Sequence, residues 1–278
     1  MRWPSILPLL LAAGNAFAAE GFVIGLGAEG DSADGLAGIV LADIGLTEKT
    51  WLSGSIGANS IDLPRDQSVD TLYADLGVDH FFDPVGVRAG AAYWGDRDGL
   101  DSRDRRVSLY WRGERAMLSG DYEYRDFEFD LPSTDRFSGR TVDFDANGIG
   151  LSTRFDLTDS LSLRASAMAY DYGVDLRLDR NRAILELLSF SRLSLINSLV
   201  DHRAHVALGL DAGPRRWEFE LGTSEGAVDG GESRSVTVRL LTPLGSASDV
   251  EFGLGLDDSD LYGDVTFFSV FLYFYGGT

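Results

Sequence analysis

From about residue 21 the chain alternates apolar and polar positions. Val107, Leu109 and Trp111 interleave with Arg106, Ser108, Tyr110 and Arg112. Trp217, Phe219 and Leu221 interleave with Arg216, Glu218 and Glu220, and Val236, Val238 and Leu240 with Ser235, Thr237 and Arg239. Val250, Phe252, Leu254 and Leu256 interleave with Asp249, Glu251, Gly253 and Gly255. A period of two is the signature of a strand with one apolar and one polar face. About fourteen such segments, each about ten residues long, can be counted. They fall near 21–29, 36–46, 51–60, 68–81, 85–95, 104–113, 115–127, 141–155, 161–175, 200–211, 214–223, 233–243, 248–257 and 263–275.

One stretch breaks the rhythm. Between Asn181 and Val200, Ile184, Leu187, Leu188, Leu195, Ile196 and Leu199 recur at near-helical spacing. This predicts a long, partly helical loop near 178–200. It would cap a mouth, fold inward, lie on a membrane surface or pack against a rim. Read as a further hairpin, it would raise the strand number to sixteen.

The connections alternate too. Leu46–Thr50, Phe82–Val85, Arg112–Arg115, Asp156–Ser160 and Asp211–Pro214 are tight turns, and Thr242–Ala247 is slightly longer. Between them fall longer acidic links at Asp96–Arg103, Asp130–Arg140 and Ala227–Glu232.

The first eighteen residues read as a secretory signal. Arg2 is followed by the apolar run Ile6–Ala13 and the small-x-small end Ala16-Phe17-Ala18. The expected organisation is a signal peptide over 1–18 and one domain over 19–278. The chain ends on Val265-Thr-Phe-Phe-Ser-Val-Phe-Leu-Tyr-Phe-Tyr275. An exported chain of alternating strands, short turns on one side and a final aromatic strand resembles Gram-negative outer-membrane β-barrel proteins. These motifs mark a broad porin-like class and no narrower family. Gly276-Gly-Thr278 after the last aromatic departs from the common ending.

The resemblance implies an all-β, closed, antiparallel, up-and-down transmembrane barrel of about fourteen strands, with twelve or sixteen as alternatives. It implies outer-membrane lipid and lipopolysaccharide as surroundings, both termini in the periplasm and a monomer. It also implies that Gly263, Phe271, Tyr273 and Tyr275 carry the signal read by the barrel-insertion machinery. Trp51, Phe82, Trp111, Phe155, Trp217 and Tyr273 would form one interfacial aromatic girdle, and Tyr93, Tyr122, Tyr124 and Tyr262 the other. A secreted β-sandwich shows similar alternation with the apolar face inside. The regular loop rhythm, the apolar last strand and the Gly-rich, charge-paired polar face favour the barrel.

With the apolar face toward lipid, Arg88, Arg106, Arg112, Arg154, Arg164, Arg216 and Arg239 line the lumen. Asp75, Asp79, Asp121, Glu123, Glu218, Glu220 and Glu251 line it with them. Such a lining serves either as a selectivity field for small polar or charged solutes or as a stiffening salt-bridge lattice. The first reading predicts a porin-like passive channel. The second predicts a non-conducting surface scaffold, adhesin or envelope-stability protein.

Composition narrows the remaining classes. A net charge of −20 repels nucleic acid. There is no cysteine, hence no thiolate chemistry. His80, His202 and His205 are the histidines, and no Gly-x-Ser-x-Gly or His-Glu-x-x-His motif accompanies them. An outer-leaflet enzyme built on His202 or His205 is the least favoured reading, and neither cofactor nor metal is expected. The acidic run Asp96–Asp104 departs from a calcium loop, with Leu100 at the fifth position.

Overall fold

Ile149 and Leu151 are each 72% exposed, while Gly148 and Gly150 beside them are buried. That inversion of the usual rule runs round the whole sheet. Exposed large apolar side chains stand on one parity, among them Leu76, Leu109, Leu221 and Leu254. Buried polar ones stand on the other, among them Ser102, Asp104, Glu123, Arg125 and Thr237. An apolar outer surface around a polar interior is stable only where the solvent outside is hydrocarbon.

The computed structural model describes residues 21–63, 67–96, 100–131, 140–173, 199–227, 230–260 and 263–277. The strands are β1 (Gly21–Asp31), β2 (Gly35–Thr47), β3 (Thr50–Leu63), β4 (Gln67–Phe81), β5 (Val85–Asp96), β6 (Leu100–Arg112) and β7 (Ala116–Leu131). They continue as β8 (Arg140–Asp156), β9 (Leu161–Tyr172), β10 (Val200–Ala212), β11 (Arg215–Gly226), β12 (Glu232–Pro243), β13 (Ser248–Ser259) and β14 (Gly263–Gly276). Each pairs antiparallel with the next, and β14 pairs with β1 from Phe22↔Gly276 to Asp31↔Phe267. Closure leaves no edge, so every strand's backbone groups are satisfied within the sheet. It sets the sandwich aside, and the strand number is fourteen rather than twelve or sixteen. Among the described residues there is no helix. The helix expected near 178–200 falls almost wholly outside them, as do the signal at 1–18 and Tyr262.

The tight turns gather at one end with both chain ends, since Gly21 pairs with Gly45 and Phe22 with Gly276. The other end carries the longer links, β7 to β8 and β9 to β10 above all, together with several short ones. β1 and β2 join there through Ser32–Asp34, where Asp31 Oδ1 accepts the backbone N–H of Ala33 at 2.7 Å and of Gly35 at 2.9 Å. The acidic links are shorter than the sequence suggested because the strands run on. β7 and β8 are 16 and 17 residues long, well beyond the ~10 a tilted span needs. At this end Arg103 and Arg105 of β6 and Glu128 of β7 turn outward as a polar collar, with Arg103 3.5 Å from Glu128.

Candidate functional site: the lumen

Register carries each lumen residue into place. Across β4, β5, β6 and β7 the inward positions match as Asp79↔Arg88, Arg88↔Ser108 and Ser108↔Asp121. Neighbouring inward rows match as Asp75↔Ala92, Ala92↔Asp104 and Asp104↔Arg125. All the sequence-selected lumen residues, Arg88 through Glu251, share this inward parity.

Most of them form linked pairs rather than a free fringe. Arg88 Nε donates to Asp79 Oδ2 at 2.7 Å, and the Tyr110 hydroxyl donates to Asp79 Oδ1 at 2.6 Å. Arg106 and the Tyr73 hydroxyl both donate to Asp75. Ser119 donates to Asp121 at 2.8 Å. Arg239 reaches Glu218 at 2.8 Å and Glu220 at 2.9 Å, and Arg164 also donates to Glu218. Arg216 bonds Asp211 at 3.0 Å and Ser162 at 2.9 Å. Arg154 bonds Asp156 at 3.1 Å. Arg112 instead lies over the Phe81 ring, 5.0 Å from its centroid.

The charges are polarised around the barrel. β13, β14 and β1–β4 turn Asp249, Glu251, Asp257, Glu29, Asp31, Asp43, Asp75 and Asp79 inward, with no lysine or arginine among the described inward positions. The arc from β5 to β12 carries the inward arginines, including Arg125 and Arg203, which the sequence reading did not select.

The interior is also unevenly filled. On the β5–β10 side Trp94, Phe127, Phe144, Ala146 and Tyr170 pack together near the long-loop end. Phe127 stacks on Phe144 with centroids 4.9 Å apart. Beneath them lies Arg125, 1% exposed, 3.3 Å from Asp104 and 3.6 Å from Glu123. Glu123 also accepts the Tyr170 hydroxyl at 3.2 Å and lies 3.6 Å from Arg203. The β1–β5 side is lined by small residues such as Gly27, Gly57, Ser53 and Ser55 and stays open. A cavity of about 530 Å³ there meets a second of about 500 Å³ nearer the short turns, and both are walled by Asp43, Ser53 and Arg106. A third, of about 370 Å³, is a basic recess at the short-turn end between Arg154, Arg164, Arg216, Arg239, Glu218 and Glu251.

Two girdle expectations are corrected. Trp51 pairs with Gly45 and Asp79, and Tyr273 with Gly25 and Asp249, so both share the inward parity. Phe271 and Tyr275 face inward with Tyr273, while Phe268, Val270, Leu272 and Phe274 face out. β14 is apolar on both faces, so its parity was not legible from composition. Gly263, at the long-loop end, has φ +66.

The histidines are scattered. His80 Nδ1 meets Thr50 Oγ1 at 2.8 Å on the outer face. His205 faces inward, 3.8 Å from Glu220. His202 faces out, where a register shift brings it within 3.3 Å of Asp201 and 3.8 Å of Glu225. Of the acidic run, Asp101 accepts from Tyr93 and Asp104 from Ser102, on opposite faces of the sheet. They cannot ligate one ion.

No protein-family model matches the chain, and no curated protein sequence matches it. Solved structures do. An OmpT outer membrane protein of Vibrio cholerae lacking its loop L8 superposes with a TM-score of 0.51 at 9% identity, over 93% of this chain and 100% of that one. The fold is that of an outer-membrane β-barrel of the porin kind. OccAB1 of Acinetobacter baumannii is similar at a TM-score of 0.49 and 12% identity, over 93% of this chain and 96% of that one. The KdgM porin in complex with disordered oligogalacturonate is similar at 0.47 and 9%, over 91% and 98%. At such identities the likeness is one of fold.

Proposed function

We propose that the chain is a passive outer-membrane channel for small polar or charged solutes. The observation that carries this reading is the run of two lumen cavities sharing Asp43, Ser53 and Arg106 as walls. Fourteen strands enclose more width than side chains need fill, and less than a sixteen-strand porin. The acidic arc faces the arginine arc across this path, so a solute passing along it meets a transverse field. Pairs such as Arg88–Asp79 hold the long side chains against the wall and keep the bore from collapsing. No chemical step is part of this reading. In it the protein is a monomer inserted from the periplasm, with 1–18 removed, the short turns and both termini periplasmic, and lipopolysaccharide around the long-loop end. The inward Phe271, Tyr273 and Tyr275 and the outward Phe274 are then presented together to the insertion machinery.

Planar-bilayer conductance of the refolded protein tests this. Stepwise ionic current is the expected result. A silent bilayer, with a heat-modifiable folded band on a gel, would instead support the second reading, a non-conducting surface scaffold. The aromatic packing around Phe127 and Phe144, which fills part of the long-loop end, is the feature that favours that alternative.

A further inference from the structure

A strand turns neighbouring side chains to opposite faces, so two adjacent residues do not normally reach one ligand. β10 breaks that rule at its start. Val200 pairs with Gly226 and His202 with Glu225, which leaves Asp201 as an extra residue in the ladder. Such a bulge sets two residues of one strand against one of its partner, here Asp201 and His202 against Glu225. His202 Nδ1 stands 3.3 Å from Asp201 Oδ2 and 3.8 Å from Glu225 Oε2. One ligand atom from each of the three lies within 4.8 Å of the other two. The backbone beside the bulge is held on both sides. The Tyr172 hydroxyl donates to the Val200 carbonyl at 2.8 Å, and the Ala227 N–H donates to the Leu199 carbonyl at 2.8 Å. The cluster lies at the long-loop end on the outer face, beyond the exposed aliphatic row of Val206, Leu208 and Leu210. All three side chains are partly open to solvent, so ions reach them.

The imidazole alone does not serve both carboxylates. Both approach the same ring atom, Nδ1, whose single N–H donates to one acceptor at a time, and 3.8 Å is beyond a hydrogen bond. One metal ion can engage all three. In a tetrahedral zinc site with bonds of about 2.0–2.1 Å the ligand atoms stand about 3.4 Å apart. The spacing here is near that, and rotation of the open Asp201 and His202 side chains closes the rest. A mixed set of one imidazole and two carboxylates suits a first-row transition ion better than calcium or magnesium, which take oxygen ligands. Two carboxylates also balance a divalent charge. Glu232 of β12, opposite Glu225, adds negative potential and is itself 3.0 Å from Arg234. We propose that Asp201, His202 and Glu225 form a site for a divalent first-row transition ion such as zinc. The ion ties β10 to β11 across the bulge, and water completes its coordination. The site is on the outer face, so it stands whether or not the lumen conducts.

The test uses the refolded protein in detergent, without a histidine tag, and a heat-modifiable band certifies each variant as folded. Zinc chloride is titrated by calorimetry, alone and against an excess of calcium or magnesium chloride. Saturable binding of one zinc that neither competitor displaces is the expected result. Cobalt chloride is expected to give a visible absorption band that zinc removes. His202→Ala is expected to abolish that band and to weaken zinc by more than about tenfold, the least that losing even a group behind a ligand costs. Glu225→Gln and Asp201→Asn are expected to weaken zinc to a similar degree. His80→Ala, which changes the outer-face histidine near the short turns, is expected to bind zinc as the unaltered protein does. Zinc is also expected to raise the unfolding temperature of the unaltered protein and not that of His202→Ala, because it binds the folded state alone. Absence of saturable zinc binding overturns the proposal. Binding that survives His202→Ala, or that calcium displaces as readily as zinc, assigns the ion to the acidic surface at large and overturns it equally.

Discussion

Arg154 and Arg164 stand directly opposite one another across β8 and β9, both on the lumen face of the basic recess. Like charges facing across a ladder are destabilising by some tenths of a kcal/mol. Each is answered by a carboxylate from elsewhere, Asp156 for Arg154 and Glu218 for Arg164. Glu218 also serves Arg239. The recess therefore concentrates positive charge at the short-turn end, while the open cavity at the other end concentrates negative charge.

Neutralising Arg164 follows from that relationship. Arg164→Gln leaves Glu218 paired with Arg239 and relieves the repulsion on Arg154. Stability is expected to change by less than about 1 kcal/mol, as for other half-exposed ion pairs. Ion selectivity is expected to move toward cations, because a fixed positive charge leaves the wall. Reversal potentials in a salt gradient measure it. Unchanged selectivity in a conducting variant would take the recess out of the ion path.

Arg125 is the opposite case, a charge sealed in the wall. It touches Asp104 and Glu123 and lies 4.7 Å over the Phe127 ring. Arg125→Met leaves Asp104 buried without a cation, while Glu123 keeps Arg203 at 3.6 Å. Breaking a buried pair in this way costs about 3–5 kcal/mol. Asp104→Asn with Arg125→Met together should cost less than the sum of the two single changes, because they share one network. Urea unfolding from lipid vesicles, read on a heat-modifiable band, measures the set. Additive losses would dissolve the network.

Gly27 sits at the closure of the barrel, where β1 meets β14. A Cβ there would come within 2.2 Å of the Phe271 ring. Gly27→Ala must push that ring into the open cavity that both residues line. Forced repacking of this kind costs about 1–3 kcal/mol. Conductance is expected to fall, because the displaced ring enters the bore. A variant with full stability and full conductance would mean that Phe271 does not stand where the register puts it.

The barrel was legible because a period of two, repeated with tight turns between, has few other solutions once export is assumed. The lumen was legible as parity. Where Val107, Leu109 and Trp111 fixed the outer face, Arg106 and Arg112 had to fall on the other. Parity failed for Tyr273 because β14 is apolar on both faces, whereas Trp51 shares its parity with Ser53 and Ser55 and was put in a girdle from its place beside a turn; both stand in the lumen instead. Partnership was not legible at all. Glu29 and Asp43 look like any inward acids in the sequence. That neither makes a hydrogen bond or close ion pair depends on which strands lie across the barrel, and alternation does not encode that distance.

Leu151 and Ser152 are neighbours on β8 that point to opposite sides, and they separate the two solvents. Leu151 is 72% exposed on the outer face, and Ser152 faces the lumen between Ser119 and Ser166. In a protein with water outside, Leu151→Arg would be a surface change worth less than about 0.5 kcal/mol. In a barrel with lipid outside, the same arginine costs about 2–4 kcal/mol near the bilayer midplane. Ser152→Arg adds an identical charge one residue away, on the wet side, where the neighbouring serines leave room and bonding partners. The expected outcome is a large loss of folded, vesicle-inserted protein for Leu151→Arg and a small one for Ser152→Arg, measured by urea unfolding in vesicles. Equal losses, or a larger loss for Ser152→Arg, would reverse the assignment of the two faces and with it the placement of every arginine in the lumen.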